Sequence, residues 1–186
     1  MQPQLSTMNM LLAGGPLLGG GGPTPGFFWE PSDVTDGWQR DNCTLSSGGI
    51  GTIMDVGVAT GVAHQILSLT DIGAPPNTLI ECKVNAKAGT GQYLALRGPR
   101  GDALFPWGVF DLVNGTLEGT NDIDSHTITP VGGDEYVCKI FYTTPAVIAN
   151  GKVTIAIQNT GIAPVGSPGK PFDGANETIE MRDVLV

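Results

Sequence analysis

Few residues of this chain have the types and spacing that do chemistry. Cys43, Cys82 and Cys138 are widely separated and form no C-x-x-C pair. Zinc and thiol-redox motifs need close pairs, because two sulfurs must reach one centre. An odd count also leaves any disulfide framework incomplete. Cys82 and Cys138 lie in apolar, strand-like runs, which marks them as small buried hydrophobes of a reducing compartment. His64 and His126 could each act as a base, but no nucleophile stands in a recognisable elbow. No G-x-S-x-G, H-E-x-x-H, Walker A or dinucleotide fingerprint occurs. Gly48-Gly49-Ile50-Gly51 is glycine-rich, yet no helical pattern follows that would aim amide groups at a phosphate. The expectation is a non-enzyme with no catalytic residue and no cofactor.

Binding chemistry is almost as sparse. Asp33, Asp36 and Asp41 near the first strands and Asp183 in the last are candidate calcium ligands, Asp183 foremost. Calcium takes six to eight oxygen ligands, roughly, from several segments. Solvated loop acids are the plainer reading, so no metal is expected. Arg100-Gly101-Asp102 spells a cell-adhesion tripeptide, but Pro99-Arg-Gly-Asp is also ordinary turn chemistry. Three Asn-x-Thr sequons, at Asn42, Asn114 and Asn176, matter only in a secreted protein. Trp107, Tyr93 and Tyr136 are the candidate glycan contacts, because aromatic faces serve sugar rings as platforms. Trp107 follows the glycine- and proline-containing stretch from Gly98 to Pro106 and is the one expected to be exposed. Most aromatics of a chain only 6% aromatic should serve the core or an interface instead.

Charge narrows the partners. The chain has 18 acidic and 9 basic residues, a formal net charge of -9. It has no Lys/Arg cluster, so neither nucleic acid nor an anionic membrane surface is expected as a partner. No apolar run approaches the ~20 residues that span a membrane. The first positive side chain is Arg40, so the N-terminus lacks the basic region of a signal peptide, and maturation in the cytosol is expected.

The elements that must position these residues fall into two parts. Residues 1–26 carry no charged side chain and are rich in glycine and proline. Glycine raises the entropic cost of order and proline removes donors, so no packed core is expected there. Met8, Met10, Leu11, Leu12, Leu17 and Leu18 are its natural anchors. An exposed apolar arm is a solubility liability. It is therefore expected to be held against a partner chain, the alternative being that it wraps its own domain.

Residues 27–186 read as one domain of short strands between turn signals. The expected strands are 27–29, 38–46, 51–58, 63–68, 78–86, 92–96, 107–111, 116–120, 125–130, 135–143, 152–158 and 178–185. Leu79, Glu81, Lys83 and Asn85 alternate with Ile80, Cys82, Val84 and Ala86, the period of a half-buried strand. Val153, Ile155 and Ile157 repeat it. Asn114-Gly115 and Asn150-Gly151 signal tight turns. At most, 68–72 or 145–150 would make a helical turn. The fold class expected is all-β: an antiparallel two-sheet β-sandwich or jelly roll with an extended N-terminal arm.

Several motifs, in order, carry a resemblance. They are Gly37-Trp38, His64-Gln65-Ile66, Leu79 to Gly89, and Tyr93-Leu94-Ala95-Leu96-Arg97. Next come Val109 to Leu117, Ile128 to Ile140, Phe172-Asp173-Gly174 and Glu180 to Val186. Together they resemble the carbohydrate-binding-module-like jelly roll of bacteriophage head-fibre, capsid-decoration and tail-fibre proteins. Glu135 stands where that family usually has tryptophan, and Cys138 departs from it as well. The resemblance spans roughly 37–186 and leaves out the arm. It implies a virion structural protein, assembled in the host cytoplasm. Such a protein would bind other capsid or tail proteins, form a homo-oligomer (a trimer by fibre habit) and touch a host surface glycan. The capsid-decoration or head-fibre form is preferred, since no coiled-coil or β-helical shaft is visible. A tail-fibre or tail-tip adaptor and a free carbohydrate-binding module are the alternatives.

Overall fold

The computed structural model describes residues 38–41, 43–45, 51–55, 65–68, 72–99, 106–145, 149–158 and 177–185. The arm at 1–26, with Met8, Met10, Leu11, Leu12, Leu17 and Leu18, lies outside the described residues, as does the expected strand at 27–29.

The strands are β1 (Trp38–Asp41), β2 (Cys43–Leu45), β3 (Gly51–Asp55), β4 (Gln65–Ser68), β5 (Ile72–Ala74), β6 (Leu79–Ala88) and β7 (Tyr93–Arg97). There follow β8 (Trp107–Asp111), β9 (Thr116–Asn121), β10 (Ser125–Gly132), β11 (Glu135–Thr143), β12 (Ala149–Gly151), β13 (Thr154–Gln158) and β14 (Thr178–Leu185). The first sheet has six strands in the order β1-β4-β13-β7-β8-β9, and the second has six in the order β10-β11-β6-β14-β3-β2. β12 and β5 form a small two-stranded ribbon. All pairings are antiparallel. No helix occurs among the described residues.

The two large sheets pack face to face as an antiparallel β-sandwich. The chain runs from β1 in the first sheet to β2 and β3 in the second, back for β4, then across for β6. It returns for β7 to β9, crosses for β10 and β11, returns for β13 and closes with β14. This alternation is the winding of a jelly roll.

Alternation along each strand builds the core. Ile80, Cys82, Val84 and Ala86 of β6 point inward, and Glu81 and Lys83 stay half-exposed. Cys138, Ile140 and Tyr142 of β11 join them from the next strand. From the first sheet come Leu94 and Leu96 of β7, Phe110 of β8, and Ile155 and Ile157 of β13. Burying such a side chain contributes about 1.5–3 kcal/mol each.

Two details depart from the sequence expectation. Asn150-Gly151 is not a tight turn: Asn150 pairs with Gly73 and Gly151 with Ile72 inside the ribbon. Of the expected helical turn over 145–150, residues 146–148 lie outside the described residues, and Ala149 and Asn150 pair as strand. The long-range partner in β5, invisible in local sequence, captures the segment as a strand. Asn114-Gly115 does form the tight β8–β9 turn, within 112–115, but not as a type I′ pair. Gly115 has φ +68°, but Asn114 is absent from the left-handed residues. A type I′ turn needs positive φ at both central residues. That signature occurs at Gly133 and Asp134, both at φ +62°, between Gly132 and Glu135 of the β10–β11 hairpin.

Candidate functional site

The outward face of the first sheet holds the most distinctive grouping of polar and aromatic side chains. Register and alternation set it out in three rows. Gln158, Tyr93 and Asp111 lie side by side across β13, β7 and β8. Ala156, Ala95 and Val109 form the middle row. Thr154, Arg97, Trp107 and Asn121 form the third, across β13, β7, β8 and β9.

An outward face of a two-layer sandwich is ordinarily wet. This one is not. Every residue of β8 and of β13 is buried, so these strands are covered on both faces. Trp107, expected to be exposed, is only 2% exposed. It clusters with Ala95, Val109 and Ala156, with half-buried Tyr93 packed against them. Ala95 and Ala156 are small enough to leave room for the indole beside Val109. Trp107 is thus not an open platform for a sugar ring.

Burial leaves polar atoms without protein partners on this face. Trp107 Nε1 has none, and neither Nε2 nor Oε1 of Gln158 has one. Gln158 is 1% exposed. Leaving such a group unsatisfied costs about 1–3 kcal/mol, so each needs an account. No sequence signal marks Gln158: it ends the Val153–Ile157 alternation and reads as a polar strand terminus.

At the end of the same face, Asp111 is fully engaged. Its Oδ1 accepts from the backbone N–H of Val113 and of Asn114, each at 2.9 Å. Its Oδ2 accepts from Asn114 Nδ2 at 2.7 Å and Gln92 Nε2 at 2.8 Å. Burial alone would raise this carboxyl, but the hydrogen bonds from Asn114, Val113 and Gln92 outweigh it and hold it below the usual carboxylate range. Asp111 closes the β8–β9 hairpin and was missed as a key residue, although Asp-x-x-Asn-Gly is a readable turn pattern.

Tyr136 is elsewhere. It lies on β11 in the second sheet, packs on the core and lies against Gly115. The structure therefore joins Trp107 with Tyr93 and separates Tyr136 from both. Asp183 lies in β14, but its side chain is outside the described residues, as are Asp33, Asp36 and His64. Among the described residues no three His, Cys, Asp or Glu side chains gather as a metal site would require. His126 is exposed on β10. Cys43, Cys82 and Cys138 are buried and form no disulfide. Burial pushes the Cys138 thiol up to about 12. It raises Cys82 too. Thiols held protonated are poor nucleophiles.

No protein-family model matches this chain, and no curated protein matches it.

Proposed function

We propose that this chain is a non-enzymatic structural protein of a bacteriophage particle, of the capsid-decoration or head-fibre type. The sandwich is the displayed module, and residues 1–26 are its attachment to another capsid protein. The observation that supports this most is the match in order between motifs and elements. The 109–117 motif is the β8–β9 hairpin, the 128–140 motif spans the β10–β11 hairpin, and the closing motif is β14. Local chemistry agrees with it. Asp111 is engaged in closing a hairpin, and the thiols are packed in the core.

Deleting residues 2–26 should abolish incorporation into particles while leaving the melting transition of the sandwich unchanged. Normal incorporation of the deletion variant overturns the attachment role.

A further inference from the structure

β10 is the outermost strand of the second sheet, bonded to β11 on one side only. All its residues except Ile128 are exposed. Ile128 packs against the core and holds the strand in place.

The direction of its free backbone groups follows from the ladder. Thr144 N–H donates to Thr78 O at 2.9 Å, in register with the β11–β6 pairing. Antiparallel bonding alternates, so even-numbered residues of β11 bond to β6 and odd-numbered ones to β10. Ser125, Thr127 and Thr129 face Phe141, Lys139 and Val137, and so turn their N–H and C=O groups inward. His126 and Ile128 turn theirs outward. Pro130 has the same parity but no N–H, so the open edge stops there.

Natural edges are usually blunted by charge, above all by lysine. β1 carries Arg40 and Asp41, β9 carries Glu118, and β2 is blunted by being only three residues long. β10 has no Asp, Glu, Lys or Arg. Beside it, Lys139 is neutralised by Glu81 at 2.7 Å.

We propose that this edge binds a second copy of the same chain, β10 to β10, antiparallel about a twofold axis at Thr127. The charge pattern selects that occupant. At a net charge of -9, two copies repel over most of their surface, and this strand is a neutral approach. The twofold sets Ser125 opposite Thr129, His126 opposite Ile128, and Thr127 opposite itself. His126 and Ile128 then exchange the outward bonds that each copy leaves open. Asp124 falls opposite Pro130 rather than opposite an acid, and threonine pairs are favourable cross-strand neighbours. A strand edge buries less than the roughly 1,200 Å² of a stable interface, so association is weak in dilute solution. It becomes effective where an assembly holds copies at high local concentration.

The test uses the full chain. Sedimentation across a concentration series should show a reversible monomer–dimer equilibrium. Thr127→Lys sets two ammonium groups face to face on the axis and should weaken the dimer about tenfold or more. His126→Pro removes an outward donor without breaking the bond ladder to β11 and should do the same. Unchanged melting temperatures show that both variants fold. Thr127→Cys should cross-link into a covalent dimer on mild oxidation, because only residue 127 meets its own copy; Ser125→Cys should not. A monomer at millimolar concentration overturns the proposal, as does dimerisation or trimerisation unaffected by Thr127→Lys, or equal cross-linking at 125. Capture of a peptide spanning 124–131 by a chain that itself stays monomeric also overturns it, assigning the edge to another protein's extended segment.

Discussion

Asp111 and Asn114 are joined twice, by Asn114 N–H to Oδ1 at 2.9 Å and by Asn114 Nδ2 to Oδ2 at 2.7 Å. The pair converts a turn sequence into a closed hairpin. Gly115 N–H then donates to the Asp111 carbonyl at 2.9 Å, and the chain reverses into β9.

This carboxyl predicts how stability responds to acid. Its folded pKa is depressed, so its contribution is present above the unfolded value, about 3.9, and is lost as pH falls through the lower folded value. Asp111→Asn should lower stability at neutral pH by about 1–3 kcal/mol, because a second amide then faces Gln92 and Asn114. It should also flatten the acid limb below about pH 4. Urea denaturation of both proteins from neutral pH to pH 3 checks this; parallel curves contradict it.

Three glycines form a graded series. A Cβ on Gly98 would come 2.5 Å from Tyr142 Cε1, whose ring is held by its hydroxyl donating to Pro99 O at 3.2 Å. A Cβ on Gly115 would come 2.8 Å from Tyr136 Cε1, at a φ of +68°. Gly133 has φ +62° but nothing within 4 Å. Gly133→Ala should cost only the left-handed strain, about 1–2 kcal/mol. Gly115→Ala adds a collision to similar strain and should cost more. Gly98→Ala must displace a buried ring and should also exceed Gly133→Ala. Thermal denaturation of the three variants orders them.

The thiols should be silent in the folded protein. Cys82 and Cys138 are 0% exposed and Cys43 is 7% exposed. Ellman's reagent should leave all three unreacted until urea unfolds the chain. Cys82 lies opposite Ile140 and Cys138 opposite Val84, so the two are diagonal neighbours on β6 and β11. Diagonal Cα atoms are roughly 7–8 Å apart, beyond disulfide reach, so air oxidation should form no Cys82–Cys138 bond. The Cys138 pKa is raised, so stability is full below its unfolded value and declines as pH rises from 9.0 toward about 12. Cys138→Ala should flatten part of that alkaline decline in a titration of melting temperature.

Much of the fold was legible locally. The β6 alternation of Ile80, Cys82, Val84 and Ala86 announced an inward face, and those residues are 0 to 2% exposed. β8, β11 and β14 begin and end where the apolar runs and turn residues place them. A side-chain period of two and turn chemistry are properties of a few adjacent residues, so sequence carries them. Pairing is not. Nothing in Thr154–Gln158 says that it lies between β4 and β7, and nothing in Asn150-Gly151 says that it meets Ile72 and Gly73.

The chemistry-bearing residues divide the same way. Sequence alone determined that Trp107, Tyr93 and Tyr136 are the aromatics to consider, and that cysteine and histidine spacing offers no motif. Tertiary structure decided that Trp107 is buried beside Tyr93 while Tyr136 stands on the other sheet. It also decided that the Gln158 carboxamide is buried without a partner and that β10, which has no Asp, Glu, Lys or Arg, is left as an edge. Burial and edge position depend on which distant segments pack alongside, a sum over the whole chain that no local window of residues contains.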